Sequence, residues 1–341
     1  MKKEEVLTKY NEEYFKDGSL ALIYETTSNS AINIKVNSLE IKVEHFPDGT
    51  QRIMSFPDEL VTSNPEWSTP YFEVVWLYEN DGEMFTLHCV VEHLRRVQNY
   101  SSNMVINLVM PYVPNARMDR IHDDNEIFTL KYFANFINSL NFNKVGVFDP
   151  HSNVTTALID RVTVVDTLLD CKRICFGSIA DDIDKESFYN NEKHTYWGDI
   201  AIYFPDESAY KRYKRYFSNG IAHNMFYGKK VRDWKTGQIL GLEVYNENDE
   251  KISEKEIKDR VFLMVDDIVS YGGSMAYGAD KLKELGAKHI YAYASHVENS
   301  VLDQEKGTLL KRIDNGTVDK LFTTNSIFNG EHNNIEIVYE F

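Results

Sequence analysis

The sequence predicts an α/β protein built on parallel β-strands. Its 341 residues are enough for two ordinary domains, each able to bury its own core. Short apolar runs recur along the chain, and several are followed by a polar segment and then by apolar residues at helical spacing. This order is typical of parallel strands that are connected by helices. The second half repeats the pattern, and we predict two domains, residues 1–168 and 169–341.

In the first half, periodicity places two helices among the strands. Residues 72–78 are typical of a strand, and residues 84–96 carry apolar side chains at helical spacing. The apolar runs at 105–110 and 144–148 have the length of buried strands, and a second helix is expected at 128–140. Both runs end at polar segments, which are therefore candidates for ligand binding at the carboxyl edge of a sheet.

The most informative stretch of the second half is residues 261–285. Residues 261–265 (VFLMV) form an apolar, β-branched run of the length of a buried strand, and Asp266 and Asp267 follow at its end. After a Gly-Gly turn, residues 275–285 carry apolar side chains at helical spacing. Two further strands of this half are expected at residues 199–204 and 289–295.

The turn inside this stretch predicts a phosphate-binding loop. Glycines before a helix N-terminus let backbone N–H groups approach a phosphate, and ligands of open α/β sheets bind at the carboxyl ends of the strands. The paired acids would then meet the hydroxyls or the metal of the same ligand. Taken alone, the pattern also fits an ordinary turn beside two solvated carboxylates. The residues of the predicted loop are Asp266, Asp267, Ser270, Tyr271, Gly272, Gly273 and Ser274.

Composition and charge argue against several classes of function. A formal net charge of -16 argues against sequence-independent binding to nucleic acid and against binding to an anionic membrane surface. The N-terminus has no apolar signal segment and no run approaches the length of a membrane span, so we expect a cytoplasmic protein. Three cysteines are present, and the helical spacing of Cys171 and Cys175 predicts structural thiols rather than a metal site.

Polar segments near other strand ends supply further candidate residues. Arg117 and Arg120 suit a polyphosphate because guanidinium groups bind phosphate oxygens at two points, although a solvated Arg–Asp pair is the alternative. His151 follows a strand end, where it is placed to ligate the magnesium of a nucleotide or to bond its phosphates. Residues 226–236 are rich in charge, and their composition predicts a solvated loop.

Together these segments resemble the ribose-phosphate pyrophosphokinases, or PRPP synthetases, over about residues 40–330. The stretch VDDIVSYGGS is similar to the ribose-phosphate loop of type I phosphoribosyltransferases, and residues 111–120 (PYVPNARMDR) are similar to the family's Pro-Tyr-x-x-x-Ala-Arg-Gln-Asp-Arg. Four other family stretches have counterparts here, in the same order along the chain. They are Phe-x-Asp-Gly-Glu (residues 46–50), Asp-Leu-His (149–151), Pro-Asp-x-Gly-Gly-x-x-Arg (205–212) and Lys-x-Arg (230–232). Residues 55–70 form an insertion to which we assign no function. The counterparts depart from the family pattern at Thr50, Met118, Ser208 and Ala209.

The resemblance implies two phosphoribosyltransferase-like domains, each a mainly parallel sheet flanked by helices. It also implies transfer of diphosphate from Mg-ATP to the C1 hydroxyl of ribose 5-phosphate, giving PRPP and AMP, with Mg²⁺ as cofactor and ATP as co-substrate. The N-terminal domain would bind ATP, the C-terminal domain would bind the sugar phosphate, and a homo-oligomer, dimeric or larger, is expected. The residues that would bind ATP are Phe46, Asp48, Arg117, Asp119, Arg120 and His151. His151 and Asp206 would bind the metal ion. Catalysis would depend on Lys230 and Arg232 in a flexible flap, with Lys229 as the alternative to Lys230.

Three alternatives stay open. The first is that the substrate is ADP-ribose, in NAD salvage, instead of ribose 5-phosphate. Ser270 and Tyr271 stand where the family has a carboxylate and a small hydroxyl residue, and these changes would alter the pocket so that it accepts the larger substrate. A non-catalytic regulatory paralogue would explain the altered loops, but the retention of His151, Asp206 and the flap residues argues against it. An ordinary phosphoribosyltransferase is disfavoured because the N-terminal half has its own ATP-like motifs.

Overall fold

The structure is a computed structural model that describes most of the chain. Two compact units are formed, one of residues 1–166 with 340–341 and one of residues 167–339. Each is an α/β unit with a mainly parallel sheet flanked by helices, as the sequence predicts. The insertion at 55–70 and the end of the predicted flap, residues 233–236, lie outside the described residues. The described ranges are 20–28, 33–54, 71–97, 104–121, 123–166, 168–183, 200–218, 224–232 and 239–341.

The first unit contains a six-stranded sheet and a separate two-stranded hairpin. Its strands are β1 (Leu20–Ser28), β2 (Asn33–Glu40), β3 (Lys42–His45), β4 (Gln51–Met54), β5 (Tyr71–Trp76), β6 (Val105–Val109), β7 (Lys144–Phe148) and β8 (Val162–Val165). The large sheet has the order β2-β1-β5-β6-β7-β8, in which β1 is antiparallel to both of its neighbours and the other pairs are parallel. The loops after β6 and β7 therefore leave the same edge of the sheet.

Helices of the first unit bury apolar faces against this sheet. They are α1 (Glu83–Val97), α2 (Thr129–Ser139) and α3 (Asn153–Leu158). The indole of Trp76, at the end of β5, donates a hydrogen bond of 2.8 Å to Glu83, which fixes the start of α1 against the strand. Helix α2 buries residues at helical spacing, because its positions i, i+3, i+4 and i+7 face the core. Those residues are Leu130, Phe133, Ala134 and Ile137.

The second unit is built on a seven-stranded sheet. Its strands are β9 (Ile200–Phe204), β10 (Met225–Arg232), β11 (Ile239–Asn246), β12 (Val261–Val269), β13 (His289–Val297), β14 (Lys320–Thr324) and β15 (Ile335–Tyr339). The order is β11-β10-β9-β12-β13-β14-β15, with β10 and β11 antiparallel and the other neighbours parallel. Its helices are α4 (Leu168–Asp182), α5 (Glu207–Phe217), α6 (Glu254–Ile257), α7 (Gly273–Glu284) and α8 (Thr308–Asp314), with a 3₁₀ turn at Asn299–Leu302.

Strand β12 is longer than the sequence predicts, so the placement of the paired acids needs correction. Asp266 and Asp267 were expected beyond the end of the strand, but β12 continues to Val269. The cause is the parallel pairing with β13, in which Asp266 lies opposite Ala294 and Val269 opposite Val297. The carboxylates therefore belong to a rigid strand rather than to a loop.

The predicted flap also needs correction, because residues 225–232 form strand β10 and not a solvated loop. Met225, Phe226, Tyr227 and Gly228 are all buried, and the charged residues occupy only the second half of the strand. A side chain at Gly228 would place its Cβ 2.5 Å from the hydroxyl of Tyr203, so the strand approaches β9 too closely for any other residue. The flap is thus one arm of a β10–β11 hairpin.

Three smaller features bear on function. Cys171 and Cys175 are buried thiols on α4. His88 and His93 lie exposed on α1. In the part of the chain that the structure describes, no helix is both long enough and apolar enough to cross a bilayer.

Candidate active site

The predicted phosphate loop connects β12 to α7. Gly272 has φ +80°, and a Cβ there would lie 2.3 Å from the Cβ of Leu309, so both the backbone conformation and the space require glycine. Gly273 begins α7, and a Cβ at this position would meet nothing nearer than the Thr308 hydroxyl at 3.9 Å. The first N–H groups of a helix have no partner within it, and they favour an anion at this end. The local geometry therefore fits a phosphate.

The loop is held by the start of α8. The carbonyl of Tyr271 accepts hydrogen bonds from the backbone N–H groups of Thr308, at 2.9 Å, and Leu309, at 3.1 Å. It also accepts one of 2.8 Å from the Thr308 hydroxyl. Three donors on one carbonyl restrict how far the loop can move, so a bound phosphate would meet a preorganised backbone.

The paired acids lie at the same end of the sheet. The side chain of Asp267 is buried, and its Oδ2 is 3.5 Å from an Nη of Arg212 on α5. Burial raises the pKa of Asp266 well above its usual range, and the charges of Asp267 and Asp206 raise it further. A ligand that brings hydroxyl donors or a cation would favour the ionised form of this carboxyl. The arrangement suits sugar hydroxyls or a divalent metal ion.

Asp206 links the acids to the neighbouring strand. It follows β9 and caps the N-terminus of α5, where its carboxylate accepts a hydrogen bond of 2.9 Å from the N–H of Ala209. Among the described residues, no three His, Cys, Asp or Glu side chains converge as a protein-only metal cage would require. Mg²⁺ usually takes one or two carboxylates together with phosphate oxygens and water. The carboxylates of this edge fit that donor set.

The structure distinguishes the two adjacent lysines of β10. The ammonium of Lys230 donates to the hydroxyl of Ser274, in the phosphate loop, at 3.2 Å. Lys229 lies on the other face of the strand, where it pairs with Asp249 and its Nζ is 4.3 Å from the ring centre of Tyr245. Successive side chains of a strand point to opposite faces, which explains the difference. The backbone of Arg232 lies at an irregularity in the pairing of β10 with β11.

In the first unit, two predicted nucleotide-binding segments leave adjacent strands. Asp119 and Arg120 follow β6, and their charged atoms are 3.8 Å apart. Arg117, in the same loop, is exposed. His151 follows β7, which pairs in parallel with β6, and its side chain is half-buried. Since both loops leave the carboxyl edge of one parallel sheet, they are positioned to serve one ligand.

The third predicted nucleotide-binding segment is the turn of the β3–β4 hairpin. Phe46 is 52% exposed, which leaves its ring available for stacking. Asp48 accepts hydrogen bonds from Thr50, of 2.7 Å from the hydroxyl and 3.0 Å from the N–H, and these bonds lower its pKa. Thr50, which replaces a family glutamate, therefore stabilises the turn by hydrogen bonding to Asp48.

Known proteins similar to this chain are ribose-phosphate pyrophosphokinases. The protein of that name from Sulfolobus acidocaldarius is 26% identical over 294 residues, which cover 84% of this chain and 85% of the relative. Ribose-phosphate pyrophosphokinase 1 of Listeria innocua is 25% identical over 248 residues, or 72% of this chain and 65% of the relative. The chain is therefore similar to ribose-phosphate pyrophosphokinases over most of its length.

The fold of the chain also matches a solved structure. The crystal structure of phosphoribosylpyrophosphate synthetase from Mycobacterium smegmatis has a TM-score of 0.62 and 16% identity, and the match covers 89% of this chain and 86% of that one. No protein-family model matches the sequence. The two units therefore have the phosphoribosyltransferase-type folds that the resemblance implies.

The structure groups the predicted residues by unit. The phosphate loop, the acids and Lys230 come together in the second unit, whereas the predicted ATP-binding residues lie in the first. Sequence reasoning left out Arg212 as a site residue, although it lies six positions after Asp206 on α5 and the family motif contains it. It also missed residues 298–309, which contact the phosphate loop; the available signal was a polar segment directly after a buried strand.

Proposed function

We propose that the chain is a ribose-phosphate diphosphokinase, which transfers the β,γ-diphosphoryl group of Mg-ATP to the C1 hydroxyl of ribose 5-phosphate and releases AMP. The observation that carries the proposal is the contact of Lys230 with Ser274, at 3.2 Å. This contact puts a cation directly beside a glycine-rich loop at a helix N-terminus, and the loop is continuous with a pair of acids. Such a set of groups is what binding a sugar phosphate and neutralising a transferring diphosphoryl group would require.

Each group of residues has its own role in this proposal. The backbone N–H groups around Gly272 and Gly273 hold the 5-phosphate, and Asp266 and Asp267 accept hydrogen bonds from the ribose hydroxyls. Lys230 and Arg232 neutralise charge on the diphosphoryl group and on departing AMP. His151 and Asp206 would hold Mg²⁺, which would neutralise phosphate charge when bound. The remaining ATP contacts come from Phe46, Asp48, Arg117, Asp119 and Arg120.

In this proposal the two substrates bind to different domains. We assign ATP binding to an N-terminal domain, residues 1–168, and sugar-phosphate binding to a C-terminal domain, residues 169–341. A homo-oligomer and a cytoplasmic location stay predictions from the sequence. The hairpin position of Phe46, with its exposed ring, supports contact with a nucleotide base.

A product assay tests the proposal directly. Purified protein is incubated with Mg-ATP and a panel of ribose phosphates, and AMP and PRPP are quantified. We expect AMP release that depends on both magnesium and the acceptor. A folded protein that binds ATP but releases no AMP with any acceptor would instead support a regulatory paralogue.

The shared-metal hypothesis predicts that His151→Ala and Asp206→Asn each weaken magnesium-dependent ATP binding. Asn is the better replacement at 206 because it retains the helix cap seen at Ala209 and removes only the charge. Calorimetric titration with ATP, with and without magnesium, measures the effect. His88→Ala, at an exposed histidine on α1, is the control. Unchanged titrations in both variants would refute the shared ion.

One observation favours ADP-ribose as a second candidate acceptor. The ring of Tyr271 is 39% exposed, and the ammonium of Lys306 lies 5.9 Å from its centre. An exposed ring and a cation beside a phosphate loop suit a second phosphate and a base that extend from the 5-phosphate. Ribose 5-phosphate remains the first choice, because the Gly272-Gly273-Ser274 phosphate cradle is retained.

The two acceptors are separated by comparing their kcat/KM values in the wild type and in Tyr271→Thr. If ADP-ribose is the substrate, we expect a large preference for it that Tyr271→Thr reverses. Tyr277→Thr, at a 60% exposed tyrosine on α7, controls for loss of a surface ring. Efficient turnover of ribose 5-phosphate alone, insensitive to Tyr271, would rule out the extended substrate.

A further inference from the structure

Glu298 and Ser300, which follow β13, contact the phosphate loop through a chain of hydrogen bonds. The N–H of Glu298 donates to the carbonyl of Val269 at 2.8 Å, which brings the end of β13 beside the end of β12. The hydroxyl of Ser300 donates to Glu298 Oε2 at 3.1 Å. The same Ser300 oxygen is 3.1 Å from the hydroxyl oxygen of Ser270. Glu298, Ser300 and Ser270 therefore form a continuous hydrogen-bonded relay that ends in the loop.

The direction of this relay follows from counting protons. A serine hydroxyl has one proton to donate and two lone pairs, whereas a carboxylate only accepts. Since the proton of Ser300 points to Glu298, the bond between the two serines must use the proton of Ser270. Ser270 then has only lone pairs left for a ligand. It can accept a hydrogen bond from a ligand hydroxyl, and it cannot donate one to a phosphate oxygen.

We propose that Glu298 is a positioning residue that, through Ser300, keeps Ser270 an acceptor for a sugar hydroxyl. The proposal rests on the proposed function, because it assumes a sugar phosphate in this loop. Phosphate oxygens need donors, and the backbone N–H groups at the start of α7 provide them at the other end of the loop. The loop is thereby polarised: one end accepts from the sugar and the other donates to the phosphate. This polarity fixes the orientation of the acceptor.

Kinetics of single and double variants test the relay. Ser300→Ala, Glu298→Ala and Ser270→Ala should each raise KM for the sugar phosphate about 3- to 10-fold, the value of one neutral hydrogen bond, with KM for ATP unchanged. The double variant Ser270→Ala/Ser300→Ala should be no worse than Ser270→Ala, because both changes remove the same interaction. Ser300→Thr keeps the hydroxyl and should restore the wild-type KM. Additive effects in the double variant would overturn the proposal.

A matched control exists in the same unit. The hydroxyl of Ser178 on α4 donates to Glu336 at 2.9 Å, so Ser178→Ala removes a bond of the same kind from a different part of the sheet. This variant should leave both KM values unchanged. An equal rise of KM in Ser178→Ala would mean that general destabilisation, not the relay, causes the effect.

A measurement without turnover separates failure of the relay from failure of the proposed function. Hydrogen–deuterium exchange of a peptide spanning residues 266–276 should be faster in Ser300→Ala than in the wild type, and unchanged in Ser178→Ala. If the wild type uses no acceptor but exchange rises as expected, the proposed function fails and the relay stands as a brace of the loop. Unchanged exchange in Ser300→Ala overturns the relay, whatever the activity. Faster exchange with unchanged KM in an active enzyme overturns the positioning role.

Discussion

Replacing Lys230 by alanine should lower kcat about 10²- to 10³-fold, the usual effect of removing one preorganised group that stabilises transition-state charge. The ammonium donates to Ser274 at 3.2 Å and is half-buried, so its charge acts directly at the phosphate loop and is screened less than that of an exposed lysine. The substitution removes no core side chain, and Tm should change little. Arg232→Ala, two residues along the same strand, should behave in the same way. Steady-state kinetics and thermal unfolding measure the two properties separately.

Lys229 is the matched control for this experiment. It is adjacent in sequence and carries the same charge, but it pairs with Asp249 on the opposite face of β10. Lys229→Ala should therefore keep a nearly normal kcat. Wild-type turnover in both Lys230→Ala and Arg232→Ala would remove the flap assignment and favour a regulatory paralogue. A larger loss of kcat in Lys229→Ala than in Lys230→Ala would mean that Lys229, and not Lys230, is the catalytic lysine.

Gly272→Ala should cause the largest loss of stability among the variants of the loop. An alanine at φ +80° costs about 1–2 kcal/mol, because the left-handed conformation brings Cβ close to the following carbonyl. Its Cβ would also lie 2.3 Å from the Cβ of Leu309, and overpacking of this kind costs about 1–3 kcal/mol. The loop must shift to relieve the contact, so binding of the sugar phosphate should weaken as well. Urea unfolding and calorimetric titration with ribose 5-phosphate report these two effects.

The adjacent glycine provides the comparison. Gly273 begins α7, and a Cβ there would meet only the Thr308 hydroxyl, at 3.9 Å. Gly273→Ala should therefore unfold at the same urea concentration as the wild type or slightly higher, since alanine has less conformational entropy to lose in a helix. Equal losses of stability in the two variants would contradict the geometry described for the loop.

Much of the fold could be predicted from the sequence alone. Strand β7 was predicted at 144–148 and has those bounds in the structure. Local features suffice for such elements, because an apolar run between polar segments has few ways to be buried. The Gly272-Gly273 turn was predicted from the same kind of signal, and the structure adds the steric reason at Leu309.

The sequence was enough to predict the α/β class and to propose a set of candidate residues. How those residues are presented depends on tertiary contacts, because the partners that position them are distant in the chain. Pairing with β13 extended β12 through Asp266 and Asp267, and pairing with β9 and β11 turned a charged segment into a strand. Those pairings set which of two adjacent lysines faces the phosphate loop. The bond between Ser270 and Ser300 joins residues 30 positions apart, and no local pattern could predict it.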